Sequence, residues 1–293
     1  MIYTSGADWL EARHKRVLLF GMSGLGKTHI SNMLRATPKA EGGGWFHYSV
    51  DYRIGTRYLG EQITDNILRE AMKNSFLRAL LMSDSIYIRS NITFDNLAPL
   101  STWLGKPGAA ALGGLPFEDY LRRQALHHDA EVAALMDTTM FIERAEGLYA
   151  YDHFVCDTGG SICEVVEPND PGDPVLRELS EHLLMVWIEG SEAHTEELVR
   201  RFRAAPKPMY YTPDFMAAAW RDYLAARGVA ESEVDPDDFM AATFARAMAH
   251  RQPLYAAIAR NWGVTVKACD VAGLRTAADF NALIAQAIDA RRG

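Results

Sequence analysis

Short apolar runs that end at glycine or aspartate recur along the chain. Arg16-Val17-Leu18-Leu19-Phe20 stops at Gly21 and predicts a buried strand, too short for a helix and bounded by a turn residue. Trp45 to Val50, ending at Asp51, predicts a second strand. His153 to Cys156 predicts a third, running into Asp157-Thr158-Gly159-Gly160. Leu183 to Ile188 and Val264 to Ala268 predict a fourth and a fifth. Between these runs the apolar spacing lengthens to a helical period. Ile30, Met33 and Leu34 predict a helix starting near Thr28, and Ile63, Ile67, Phe76 and Leu80 predict one helix face. Pro116 is placed to open another helix. Ser90 to Gly114 is polar, broken by glycine and proline, and predicts a loop. Helices are predicted from Pro213 to Gly228, Asp235 to Trp262 and Ala277 to Ala290. Strands alternating with helices predict an α/β chain whose five-stranded, mainly parallel sheet is covered on both faces. The simplest organisation is a single domain over 1–293 with large helical insertions at 59–150 and 205–262.

Composition narrows the function classes. The 293 residues are 48% hydrophobic and 23% charged, enough to bury a core and unlike a disordered chain. Thirty basic and thirty-eight acidic residues leave a net charge of −8, which argues against a broad nucleic-acid surface, so no nucleic-acid partner is expected. No apolar run approaches a membrane span, and Met1 to Leu10 lacks the basic flank and apolar stretch of a secretory signal. Cys156, Cys163 and Cys269 are sparse and form no CxxC pair, which predicts a reduced, cytoplasmic protein without structural zinc.

One segment carries specific chemistry. Gly21-Met22-Ser23-Gly24-Leu25-Gly26-Lys27-Thr28 satisfies GxxxxGK[ST] between a predicted strand and a predicted helix, the setting a P-loop requires. Glycines let backbone N–H groups curl around phosphate oxygens, and the helix N-terminus adds donors and a favourable dipole. The expected ligands are ATP and Mg²⁺, with Lys27 bridging the β- and γ-phosphates and the Thr28 hydroxyl on the metal. A plain strand-to-helix turn has no use for Lys-Thr at that point. Asp157, after Phe154-Val155-Cys156, is the candidate second acid at the metal; its other reading is a turn or cap aspartate before Gly159-Gly160. Asp84, ahead of Ile86-Tyr87-Ile88, is the weaker rival.

Beyond the P-loop, three segments in order resemble the P-loop small-molecule kinases, the group of shikimate kinase and the nucleoside and nucleotide kinases. They are Tyr48-Ser49-Val50-Asp51-Tyr52-Arg53-Ile54-Gly55, Val155-Cys156-Asp157-Thr158-Gly159-Gly160, and Arg251-Gln252-Pro253-Leu254-Tyr255-Ala256-Ala257-Ile258-Ala259, which is similar to an R-x-P-L-Y helix. Ser49 stands where many relatives have an aspartate, and Ser161 replaces a third glycine. The resemblance implies a three-layer α/β/α P-loop NTPase, with the third strand beside the first and the Gly159-Gly160 turn at the acceptor. It also implies a lid over 190–213.

Several residues then become candidates. Asp51 could hold an acceptor hydroxyl or merely cap the following helix. Arg53 and Arg57, one helical turn apart, could face an acidic group on the acceptor or form a solvated basic face. Arg200, Arg201 and Arg203, with Lys207 beyond, could neutralise the migrating phosphoryl group, while Glu196–Arg200 and Glu197–Arg201 also have the spacing of surface pairs. Ser90 to Asn96 is a further candidate for acceptor contact. His127-His128-Asp129 points to different helix faces and reads as surface rather than a metal site. The expected activity is transfer of the γ-phosphoryl group of ATP to a small hydroxyl- or phosphate-bearing acceptor. The alternative is a P-loop ATPase or regulatory switch acting on a protein partner, and a polynucleotide kinase is disfavoured by the acidic balance.

Overall fold

The computed structural model describes residues 2–291. The five apolar runs are five strands: β1 (Arg16–Phe20), β2 (Trp45–Ser49), β3 (His153–Asp157), β4 (Leu184–Glu189) and β5 (Gly263–Lys267). They form one sheet in the order β2-β3-β1-β4-β5. Every pairing is parallel, so the fold is α/β with an all-parallel sheet. β1 to β4 are buried along nearly their whole length, as a parallel sheet covered on both faces must be. β5, at an edge, alternates instead, with Thr265 and Lys267 exposed.

The helices in chain order are α1 (Gly6–Glu11), α2 (Lys27–Ala36), α3 (Val50–Arg53), α4 (Gly60–Ala71), α5 (Ser75–Met82), α6 (Ala98–Leu104) and α7 (Phe117–Met136). They continue with α8 (Thr138–Gly147), α9 (Pro174–His182), α10 (Glu192–Ala204), α11 (Pro213–Arg227), α12 (Pro236–Trp262), α13 (Ala268–Ala272) and α14 (Ala277–Ala290). Among the described residues no helix is long and apolar enough to cross a membrane.

The chain divides into two compact units. One holds the whole sheet and comprises the residues up to Val50, Val132 to Ala204, and Thr243 onward. The other, Asp51 to Glu131 with Ala205 to Ala242, is helical. Much of both expected insertions lies in this helical unit, whereas 132–150 and 243–262 belong with the sheet.

In the sheet unit, Val17 to Phe20 of β1 are wholly buried. α14 starts at a capping box between Thr276 and Asp279 and buries Ala277, Phe280, Ile284 and Ile288 along one stripe. α1 is fastened to it: the Gly6 N–H donates to Asp289 Oδ1 at 2.7 Å, and Trp9 Nε1–H to the Asn281 carbonyl at 3.1 Å. A Cβ on Gly6 would stand 2.6 Å from the Ala285 carbonyl oxygen, so only glycine allows that approach.

The helical unit corrects four expectations. Ile63, Ile67, Phe76 and Leu80 do not share one helix: Asn74 caps α5 by accepting from the Phe76 and Leu77 N–H groups, and Phe76 is 69% exposed. The expected loop from Ser90 to Gly114 contains α6, which carries Pro99 in its first turn and buries Leu100, Trp103 and Leu104. Ile86-Tyr87-Ile88 forms no strand, which removes the setting that favoured Asp84. The unit's core includes Phe117 stacked on Trp220 at 4.6 Å and a buried polar face of α7, Gln124, His127 and Glu131. Gln124 Oε1 accepts from the Tyr211 N–H, and the His127 ring stacks on Tyr210 at 4.9 Å. His127 is therefore interior rather than surface.

Candidate functional site: the glycine loop after β1

β1 lies between β3 and β4 in the middle of the sheet, and its C-terminal end opens into Gly21-Met22-Ser23-Gly24-Leu25-Gly26 before α2. Gly21, Gly24 and Gly26 have φ of +131°, +82° and +101°. A side chain at Gly21 is barred twice over, because its Cβ would stand 2.7 Å from the Ile188 carbonyl oxygen. Gly26 caps α2 in the left-handed conformation, so no side chain masks the first N–H groups of that helix. The buried Lys27 ammonium donates to the Gly21 and Met22 carbonyls at 2.7 and 2.9 Å, which fixes it across the loop it follows. Thr28 is exposed in the first turn of α2.

β3 runs beside β1, with Leu19 in register with Asp157. The Thr158 hydroxyl ties the strand's end to the Leu19 carbonyl at 3.1 Å. Asp157 is buried, and its Oδ2 accepts a hydrogen bond from His47 Nε2 of β2 at 3.0 Å. The Gly159-Gly160 turn then passes the loop: a Cβ on Gly160 would be 3.7 Å from the Ser23 nitrogen. The Tyr255 hydroxyl donates to the Gly160 carbonyl, and burial first, then Cys163, pushes that phenol well above its usual range, so it stays a donor. Arg251, one turn earlier in α12, forms an ion pair with Glu164 whose side chains are 2% and 0% exposed. Gln252 Nε2 lies 2.8 Å from Met22 Sδ. Thus the strand-end aspartate, the glycine turn and the R-x-P-L-Y helix meet around one loop. Sequence spacing singles out neither His47 nor Glu164, and marks Arg251 only as the first residue of the R-x-P-L-Y segment. His47 is an inward position of β2, and its partner is visible only once strand register is known.

The other candidates fare differently. Asp51, Arg53 and Arg57 belong to the helical unit. Asp51 lies within the first turn of α3 rather than at its cap. Arg53 and Arg57 are not one α-turn apart, because Ile54–Tyr58 is π-helical, with the Leu59 N–H bonded to the Ile54 carbonyl at 2.8 Å. Arg53 instead stacks over Tyr58 at 5.7 Å, and Arg57 is exposed. The stretch 190–213 is largely helical, as α10. Arg200 forks onto Glu197 at 2.7 Å rather than pairing with Glu196, and Arg201 and Arg203 are exposed. Among the described residues no group of three or more His, Cys, Asp or Glu side chains could hold a metal.

Neither the models of known protein families nor the curated protein sequences yield a match to this chain.

Proposed function

We propose that the chain is a three-layer P-loop NTPase that binds ATP with Mg²⁺ on the Gly21–Thr28 loop. In this reading it transfers the γ-phosphoryl group to a small hydroxyl-bearing acceptor in a cytoplasmic setting. The observation that carries the reading is the loop itself: three left-handed glycines and an anchored lysine at the C-terminal edge of the central parallel strand, where open α/β sheets bind ligands. Oxygen donors suit Mg²⁺, which typically takes only one or two protein oxygens beside phosphate oxygens and water, and Thr28 and Asp157 would supply the protein ones. Bound there, the nucleotide and metal supply the transferable group and its charge neutralisation. The chain's part is positional. The loop N–H groups would orient the phosphates, Lys27 would exchange its carbonyl partners for the terminal phosphates, and His47 would keep the Asp157 carboxylate in one rotamer.

Titration with a fluorescent ATP analogue tests it. Lys27→Ala removes a charge-assisted contact worth about 1.5–3 kcal/mol, so affinity should drop roughly 10- to 150-fold while circular dichroism is unchanged. Unaltered affinity sinks the assignment. A second reading, an ATPase switch working on a protein partner, is favoured by the exposed Phe76, Met82 and Tyr87 and by the Glu197 hold on Arg200. Substantial ADP release without any acceptor would put it first.

A further inference from the structure

Beside the glycine loop, within the sheet unit, is an open cleft of about 720 Å³, in the size range of small-molecule sites. Trp187 and Glu189 at the end of β4, Glu192, Thr195 and Glu196 of α10, and Gln252 of α12 line it. The loop is its immediate neighbour. Gln252 touches Met22, and the Trp187 ring is 3.2 Å from where a Cβ on Gly21 would stand.

Two independent observations define what it can hold. First, none of the described residues lining it is lysine, arginine or histidine. Lys267 pairs with Glu189 at the surface, but Glu192 and Glu196, on one face of α10, have no ion-pair partner among the described residues. The positive end of α10 does not offset them. It amounts to about half a charge, and the Ser191 hydroxyl already accepts from the His194 N–H there. Second, the two basic residues that adjoin the lining in sequence are already engaged: Arg251 turns away to the buried Glu164, and His194 Nδ1 is bonded to the Ser191 hydroxyl at 2.8 Å. An anionic ligand would find repulsion and no anchor. A cation would find two carboxylates and the indole of Trp187, with Thr195 and Gln252 left to bond hydroxyls.

We propose that this cleft is the acceptor pocket and that the acceptor is a hydroxyl-bearing organic amine bound as its ammonium ion, not a phosphate or carboxylate. The inference rests on the phosphotransferase reading. The acceptor hydroxyl oxygen bonds to the γ-phosphorus, the bond from that phosphorus to the bridging oxygen breaks with its electron pair leaving on ADP, and the hydroxyl proton passes to water.

Calorimetric titration of the whole protein in mildly acidic buffer tests it, with glucosamine against glucose, ethanolamine against ethylene glycol, and glucose 6-phosphate as the anion. Each amine should bind at least about tenfold more tightly than its uncharged counterpart, and the phosphate not at all. The gap should shrink with salt and vanish in Glu192→Gln/Glu196→Gln, whose sites are exposed and leave the fold intact. If no amine outbinds its counterpart, or the double variant keeps the gap, the inference is overturned. Lys27→Ala should lose nucleotide and retain the amines. Wild-type protein that binds amines but no nucleotide would overturn phosphotransfer alone and leave the ligand class standing.

Discussion

Replacing Glu164 by leucine would remove the carboxylate paired with the Arg251 guanidinium, whose side chain is 2% exposed. Glu164 is itself fully buried, so water cannot take over the role of its carboxylate. Breaking a buried pair from one side costs about 3–5 kcal/mol, a large share of the roughly 5–15 kcal/mol that holds a typical domain. Arg251→Met should cost a similar amount from the other side. The double variant Glu164→Leu/Arg251→Met removes both charges and keeps most of the volume, and well-packed apolar replacements of such pairs are often neutral. It should therefore recover most of the loss, giving a coupling of about 2 kcal/mol or more. The two singles should also loosen the Gly160 turn, because Tyr255 holds it from the same helix. Urea unfolding followed by far-UV circular dichroism would give all four corners of the cycle. If either single costs under about 1 kcal/mol at unchanged m-value, or the double equals the sum of the singles, the pair behaves like an exposed one and the reasoning is wrong.

Two further outcomes follow from local geometry. Gly26→Ala forces an L side chain to φ +101° with its Cβ 2.9 Å from Val271 Cγ1, and thermal melts should show a loss of about 1–3 kcal/mol, of which Val271→Ala relieves only the steric part. His153 is held down to about 4 by burial and then by Lys15, so the folded state keeps it neutral while an unfolded chain takes a proton below about 6.5. Its contribution is present above that value and is lost as pH falls towards 4. The side chain is only half-buried, so roughly 1–2 kcal/mol is expected, read as a urea midpoint that falls more between pH 7 and pH 5 in wild type than in His153→Gln.

The strands were legible because a run such as Val17 to Phe20 is too short for anything else and is stopped by glycine. The setting of the GxxxxGKT motif followed from the same pattern. α6 was missed although its signals are local, a proline in the first turn and Gly105 at φ +70° after its end, because flanking glycines and polar residues outweighed seven helical ones. The break between α4 and α5 has a local signal too, in the Asn74 cap. The π-helical stretch after Arg53 leaves no comparable mark in the sequence, and it changes which side chains share a face. The pairings His47–Asp157 and Arg251–Glu164 join residues 110 and 87 positions apart, beyond the reach of any periodicity.

The order β2-β3-β1-β4-β5 also shapes how the chain comes into being. β1 and β2 are made early, yet they are not neighbours; β3 must insert between them, and His47 waits 110 residues for Asp157. At about 5–20 residues per second on the ribosome, that delay is on the order of ten seconds. During it, Val17 to Phe20 and the aromatic face of β2 have no strand partner. α1 waits longer still, since Asp289 is 283 residues beyond Gly6. Parallel pairing over such separations is slow to form and exposed to aggregation meanwhile. The nascent chain therefore carries apolar strands made early and left without partners until β3 and then β4 emerge to flank them.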